Sequence, residues 1–287
     1  MSNNINVYTY GREYSTMAMD AAFIGGSKTY DIALIKVTNN TWLKSGGQNF
    51  IAAAEIADSD KIYPGQRAVA VGNPLGFLLS VTEGVISKVS DIMALKSLEN
   101  IYQDQEHRVI RIDTAVNSGN SGGGLFDSQG RLIGIVSAKN AGSDVDNIGY
   151  AIPSNIAIGV AENIIANGTG TIRKLVLDMT PGIISADPVY ANGKITITNV
   201  VGIAEVKAYG KGQQAGFWVN DILVSAAITR GGVTTTIAIT QLHTLTDFLF
   251  KIQAGDTLKI TIKRGGVNAA PEDKIINVQS GDLITIS

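Results

Sequence analysis

The first 153 residues break into short β-prone runs separated by glycine-rich punctuation, a rhythm that suits a β-barrel or a sandwich. Residues 5–10 alternate like an edge strand. Asp31-Ile-Ala-Leu-Ile-Lys-Val37, Ala68-Val-Ala-Val71 and residues 81–89, 109–113 and 132–137 are further strand candidates. One helix follows: Ser154 is a candidate N-cap, Ile156, Val160 and Ile164 recur one turn apart, and Gly168 is placed to end it. Asn167-Gly-Thr-Gly170 then reads as a flexible joint. From residue 175 onward the chain is again strand-rich. A helix is predicted over 244–253, where Leu245, Leu249 and Ile252 share a face, and Thr257-Leu-Lys-Ile-Thr-Ile-Lys263 alternates strictly, as a half-buried strand does.

With 287 residues there is material for two ordinary domains, each with its own core. A formal net charge of −2 without a basic cluster argues against a nucleic-acid partner. The absence of cysteine excludes disulfides and thiolate metal sites. The two histidines, His107 in a polar stretch read as a surface loop and His243 just ahead of the second helix, make no zinc set, so neither metal nor cofactor is expected. No apolar run reaches the length of a membrane span and no signal-peptide pattern opens the sequence. Any export signal or anchor would have to lie before Met1.

The segment with the most specific chemistry is Asn117-Ser-Gly-Asn-Ser-Gly-Gly-Gly-Leu125, set between two strand candidates. Its glycines permit tight turns and close backbone approach to a ligand. A hydroxyl nucleophile needs such a loop, because it must stand exposed at a bend with N–H groups aimed at the oxygen that turns negative during acyl transfer. Taken alone, the same residues suit an ordinary glycine-rich hairpin loop equally well. Asp31, just before an apolar strand, reads on its own as a turn residue bonding its local backbone.

This loop resembles the nucleophile loop of the HtrA family of serine proteases, and four other segments resemble that family in the same order: Asp31-Ile-Ala-Leu-Ile-Lys-Val37, Val71-Gly-Asn-Pro-Leu-Gly76, Val81-Thr-Glu-Gly-Val-Ile-Ser87 and Ile148-Gly-Tyr-Ala-Ile-Pro-Ser154. The third is similar to the strand that opens the family's second barrel. The resemblance implies a mainly β chain: a chymotrypsin-like double β-barrel with an incomplete N-terminal barrel over 1–167, a linker at 168–174 and a PDZ-like α+β domain over 175–287. It implies Ser121 as nucleophile, Asp31 as the carboxylate that orients an imidazole, and the N–H groups of Gly119 and Ser121 as oxyanion donors. Ile135, Val136, Ser137, Ala138 and Lys139 would pair with the substrate backbone and line its specificity pocket, with a preference for small to medium aliphatic residues. The implied partners are unfolded or misfolded proteins and C-terminal peptides, the location is extracytoplasmic, and family members form trimers through the N-terminal part of the protease domain.

The pattern breaks at the base. The family places its histidine a few dozen residues before the aspartate, and none of the 30 residues before Asp31 is histidine. A triad loses several orders of magnitude in rate when one member is missing, so the chain as given is expected to be nearly inactive. Either the sequence is truncated before a histidine-bearing strand, which we favour, or it is a degenerate relative that only binds peptides.

In the second domain Gln213-Gln-Ala-Gly-Phe-Trp-Val-Asn-Asp-Ile-Leu-Val-Ser225 and Ala254-Gly-Asp-Thr-Leu-Lys-Ile-Thr-Ile-Lys-Arg264 resemble PDZ segments of the bacterial type. The resemblance implies a carboxylate-binding loop at Thr180-Pro-Gly-Ile-Ile184, with Pro181, Gly182, Ile183 and Ile184 at the peptide. Leu245 and Leu249 would form the groove's other wall, and the peptide would add a strand beside residues 183–186. An insertion between Ile228 and Gln241 departs from the compact pattern.

Overall fold

The computed structural model describes residues 5–8, 18–38, 52–73, 79–95, 105–116, 119–137, 148–191 and 194–286. It divides into two compact units, residues 1–171 and 172–286. The division falls inside the expected linker at 168–174. The last part of that stretch is structured: Ile172–Leu175 is a strand (β10), paired antiparallel with Leu283–Ile286 (β17). Ile172 and Leu175 are fully buried, which ties these residues to the second unit.

The first unit contains a closed six-stranded antiparallel barrel. Its strands are β4 (Arg67–Gly72), β5 (Ser80–Leu95), β6 (Gln105–Ile112), β7 (Gly124–Phe126), β8 (Leu132–Val136) and β9 (Gly149–Pro153), joined in the order β4-β5-β6-β9-β8-β7. Closure leaves no unpaired edge. Ala68, Ala70, Ile86, Ile110, Ile112, Leu125, Ile133, Val136 and Ala151 alternate inward and fill it. The segment at 81–87 is therefore the barrel's second strand, since Arg67–Gly72 precedes it. His107 lies within β6, opposite Met93, in a strand where a surface loop was expected.

Ahead of the barrel, β1 (Ile5–Val7), β2 (Met19–Ser27) and β3 (Ile32–Val37) form a three-stranded antiparallel sheet. Phe23 faces Ile35 across β2 and β3, and both are about two-fifths exposed. Helix α1 (Ser154–Asn167) follows β9 and ends at Gly168 in the left-handed conformation, where glycine carries no Cβ penalty. Its N-cap is Pro153; the Ser154 hydroxyl instead donates to the Ala57 carbonyl at 2.7 Å. Proline is a workable residue there because a helix start has N–H groups to spare.

The second unit is a twisted antiparallel sheet with short helices. Strands β11 (Met179–Ala191), β12 (Lys194–Val206), β13 (Ile222–Arg230), β15 (Thr257–Lys263) and β16 (Pro271–Asn277) run in that order, and β14 (Val233–Ala238) pairs with β13. The expected insertion is the β13–β14 hairpin. Gly231 and Gly232 form its two-residue loop, both at positive φ, as a primed turn requires. α2 (Lys211–Gln214) precedes β13. The helix predicted over 244–253 is α3 (Thr244–Phe248), continued by a 3₁₀ turn at Leu249–Lys251. Leu245, Phe248, Leu249 and Ile252 pack it onto Val201, Ile203, Leu223, Leu258 and Ile260.

Two buried aspartates pin this unit. Asp221, 1% exposed, accepts from Arg264 at 2.7 Å through both oxygens and from the Trp218 N–H. Asp256, also 1% exposed, accepts from Arg230 at 2.8 and 2.7 Å and from the Gln253 N–H. The Asp221 carboxylate raises Arg264 above its ordinary pKa, and the Asp256 carboxylate does the same for Arg230, chiefly through these hydrogen bonds.

Candidate active site and peptide groove

Ser121 stands exposed in the loop between β6 and β7. The loop's shape depends on glycine at defined positions. Gly119 and Gly122 have φ of 102° and 84°, a region closed to most side chains. A Cβ on Gly123 would lie 2.2 Å from the Val71 carbonyl oxygen, so the loop is pressed against β4. Backbone bonds fix it from the other side: the Gly122 N–H donates to the Val136 carbonyl at 2.7 Å, and the Val136 N–H to the Gly123 carbonyl at 2.8 Å. Among the described residues the Gly119 and Ser121 N–H groups donate to no protein acceptor. Asn120 is buried at 2% and its amide donates to the Ala115 carbonyl. Its anchoring role was not visible in the motif.

Asp31 closes the turn after β2, with φ of 50° and its N–H donating to the Lys28 carbonyl. Aspartate tolerates this left-handed conformation better than most residues. It is thus a turn residue, yet its carboxylate also reaches a distant partner: the hydroxyl of Ser137, 106 positions along, donates to Asp31 Oδ2 at 2.6 Å. The Ser121 hydroxyl in turn donates to the Ser137 carbonyl. Ser137, buried at 3%, therefore touches both residues of the expected pair.

The expected substrate strand divides. Ile135 and Val136 are taken on both sides, by Gly124 of β7 and the Gly122–Gly123 backbone on one and by Ile152 and Ala151 of β9 on the other, which leaves them no edge for a substrate backbone. Val136 also points into the barrel core. Ser137 lies past the end of β8, while Ala138 and Lys139 lie outside the described residues.

In the second unit a cavity of about 280 Å³ is lined by residues 174–181, by Glu205 of β12 and Lys207 just after it, and by Leu245, Thr246 and Leu249. Pro181, Leu245 and Leu249 are thus brought together. Thr180-Pro-Gly-Ile-Ile184 is not a loop: it belongs to β11, paired with residues 200–205 of β12 through bulges. A Pro-Gly pair signals a turn, but β11 is the edge strand of its sheet, where the N–H missing from proline costs no ladder bond. Gly182, Ile183 and Ile184 do not line the cavity, and Ile183 is 47% exposed. The turn beside the cavity is Val176–Asp178, held where the Leu177 carbonyl accepts from Gly212 and the Asp178 carbonyl from Lys207. His243 flanks α3 as expected, but it is not isolated from carboxylates, since Asp247 follows one helical turn later.

A closed six-stranded barrel behind a three-stranded sheet, with an exposed serine in a glycine loop, defines a chymotrypsin-like fold. Residues 3–135 match the trypsin-like peptidase domain family. Within that class the chain's relatives are proteases of the HtrA type. It is 34% identical over 235 residues to the periplasmic pH-dependent serine endoprotease DegQ of Escherichia coli (strain K12), covering 81% of this chain and 43% of DegQ. It is 32% identical over 169 residues to the serine protease Do-like HtrB of Bacillus subtilis (strain 168), covering 58% of this chain and 34% of HtrB. The fold matches that of the HtrA-type protease AlgW with tripeptide at a TM-score of 0.54 and 23% identity, over 98% of this chain and 82% of that one. The chain spans about half the length, or less, of the curated relatives named here.

Proposed function

We propose that this chain carries the cleavage machinery of an HtrA-type serine endopeptidase, with Ser121 as nucleophile and a PDZ-type groove that recruits peptides. The observation that carries the reading is Ser137, hydrogen-bonded to Asp31 through its hydroxyl and to Ser121 through its carbonyl. In this mechanism the Ser121 oxygen attacks the scissile carbonyl and its proton passes to an imidazole. The Gly119 and Ser121 N–H groups stabilise the resulting oxyanion. The leaving amine takes the proton as the acyl-enzyme forms, and water then hydrolyses the ester. Asp31 orients the imidazole and stabilises its cation.

The imidazole is the missing part. The chain's histidines are His107 and His243, and neither precedes Asp31, where the family resemblance places the base. This exact chain is therefore expected to cleave roughly 10⁴-fold or more slowly than a protein with a complete triad. The same gap favours a second reading, a peptide-binding protein without catalysis.

In the groove reading an extended peptide pairs with the free edge of β11 near residues 183–186, its end resting in the cavity against Pro181, Leu245 and Leu249. The Val176 and Leu177 N–H groups, which donate to no protein acceptor among the described residues, face its carboxylate. Peptide-bound AlgW supports this by fold. The substrates would be unfolded or misfolded proteins outside the cytoplasm, cut after small to medium aliphatic residues.

The test compares the natural full-length protein with its Ser121→Ala variant on an unfolded protein substrate. Cleavage by the first and at least a thousandfold less by the second is expected. Equal cleavage by both would remove Ser121 from the mechanism. Peptide binding without any cleavage by the natural protein would establish the second reading.

A further inference from the structure

β11 and β12 pair along their whole length, from Met179 opposite Val206 to Ala191 opposite Lys194, but the sheet behind them is shorter. β12 meets β13 only at Gly202, opposite Ile222. From there to its tip the hairpin is a two-stranded ribbon with no described strand along either edge. Such a ribbon is marginal in water, and its unpaired N–H and C=O groups are a template for another strand. Tyr190 and Ile195, directly opposed near the tip, are 74% and 70% exposed.

The two edges are not equal. On β11, Pro181 and Pro188 carry no N–H, which confines pairing on that side to the stretch between them. The free part of β12 is Lys194-Ile-Thr-Ile-Thr-Asn-Val200, without proline or glycine and β-branched everywhere except Lys194 and Asn199. Ile203 shows which of its residues serve the open edge. The Ile203 N–H donates to the Asp221 carbonyl and its carbonyl accepts from Asn220, both away from β11. The β12 register skips no residue from Ile203 to Lys194. Alternate residues of a strand bond to the same side, so Asn199, Ile197 and Ile195 present their backbone groups to the open edge. Pro188 stands opposite Ile197, at a pair where the β11–β12 ladder needs no N–H from it.

We propose that this strand pairs antiparallel with the same strand of a second copy of the chain, on a two-fold axis at Ile197. The interface goes beyond the function proposed above and does not depend on it. A second copy is the occupant because the segment is complementary to itself. A two-fold axis through the sheet keeps each residue on its own face, so odd positions meet odd and even positions meet even. Ile197 then meets its copy, Thr196 meets Thr198, and Ile195 meets Asn199. All three residues that serve the open edge are paired. Moving the axis by one residue carries one of them past the strand's start at Lys194 or into the part of β12 beside β13. Lys194, the segment's one charge, pairs with Val200 and stands about 20 Å from its copy, so no like charges meet. The product is a four-stranded ribbon that leaves the outer edge of each β11 open.

The test uses the full chain. In sedimentation, Ile197→Lys sets two like charges face to face on the axis and is expected to weaken self-association about tenfold or more, halving the wild-type mass. Ile197→Glu should do the same. Mixing the two variants should restore the wild-type mass, which a folding defect would not do. The chain has no cysteine, so one introduced thiol reports one contact. The axis brings the two copies of residue 197 to about 5.5 Å between Cα atoms, within disulfide reach. Ile197→Cys should therefore form a covalent dimer on mild oxidation, while Tyr190→Cys, about 14 Å or more from its copy, should not. A wild-type mass that Ile197→Lys leaves unchanged, a mixture that does not recover, or equal cross-linking through position 190 would overturn the proposal.

Discussion

The Ser121 loop is held almost entirely by backbone, whereas the groove of the second unit is walled by side chains. At the loop, two positive-φ glycines, a third pressed onto β4 and paired N–H and carbonyl groups fix Ser121. At the groove, the side chains of Pro181, Leu245, Leu249 and Lys174 line the cavity. The first site tolerates almost no change in main-chain geometry. The second holds its parts within one unit and can be tuned by single substitutions. A catalytic oxyanion hole requires the first kind of construction, because N–H groups must be fixed before charge develops. Selection among peptides requires the second.

The comparison predicts that damage to either unit stays local. Replacing Asp221 with Ala leaves the Arg264 guanidinium, 27% exposed, without its carboxylate. Breaking such a pair costs about 3–5 kcal/mol where the survivor stays buried. The loss should appear as a lower urea midpoint for the second unit, with peptide binding lost and phosphonate labelling at Ser121 unchanged. A parallel fall in labelling would show that the two sites are not independent.

A smaller effect is expected from Ser137→Ala, which removes the hydroxyl from Asp31 and keeps the carbonyl that receives Ser121. A hydrogen bond to a charged acceptor is worth about 1.5 kcal/mol at the low end, which suits the exposed Asp31. Acylation in the natural full-length protein should slow about tenfold, with peptide affinity in the groove unchanged. An unaltered rate would mean that Asp31 is held by other contacts.

Much of this fold could be read from the sequence, because alternation and glycine punctuation are local signals. The Asp31 strand, the barrel strands at 68–71, 81–89, 109–113 and 132–137, α1 and Thr257–Lys263 all formed close to their expected positions. What escaped was long-range. Nothing in the sequence ties Ser137 to Asp31, Arg264 to Asp221 or Arg230 to Asp256, since each pair is closed by folding. The groove loop was misplaced for a local reason: Pro181-Gly182 carries turn chemistry, but an edge strand accepts both residues. Ile135 and Val136 were assigned to substrate pairing because the motif gives order along the chain, while the order of strands around the barrel decides which edges remain free.

The central claim is that Ser121 is the acylated residue. The most direct measurement is the intact mass and peptide map of the natural full-length protein after treatment with a serine-directed peptide phosphonate. The account predicts a single adduct, located on Ser121 and absent from Ser121→Ala. An adduct on another serine, or equal labelling of the variant, would contradict it.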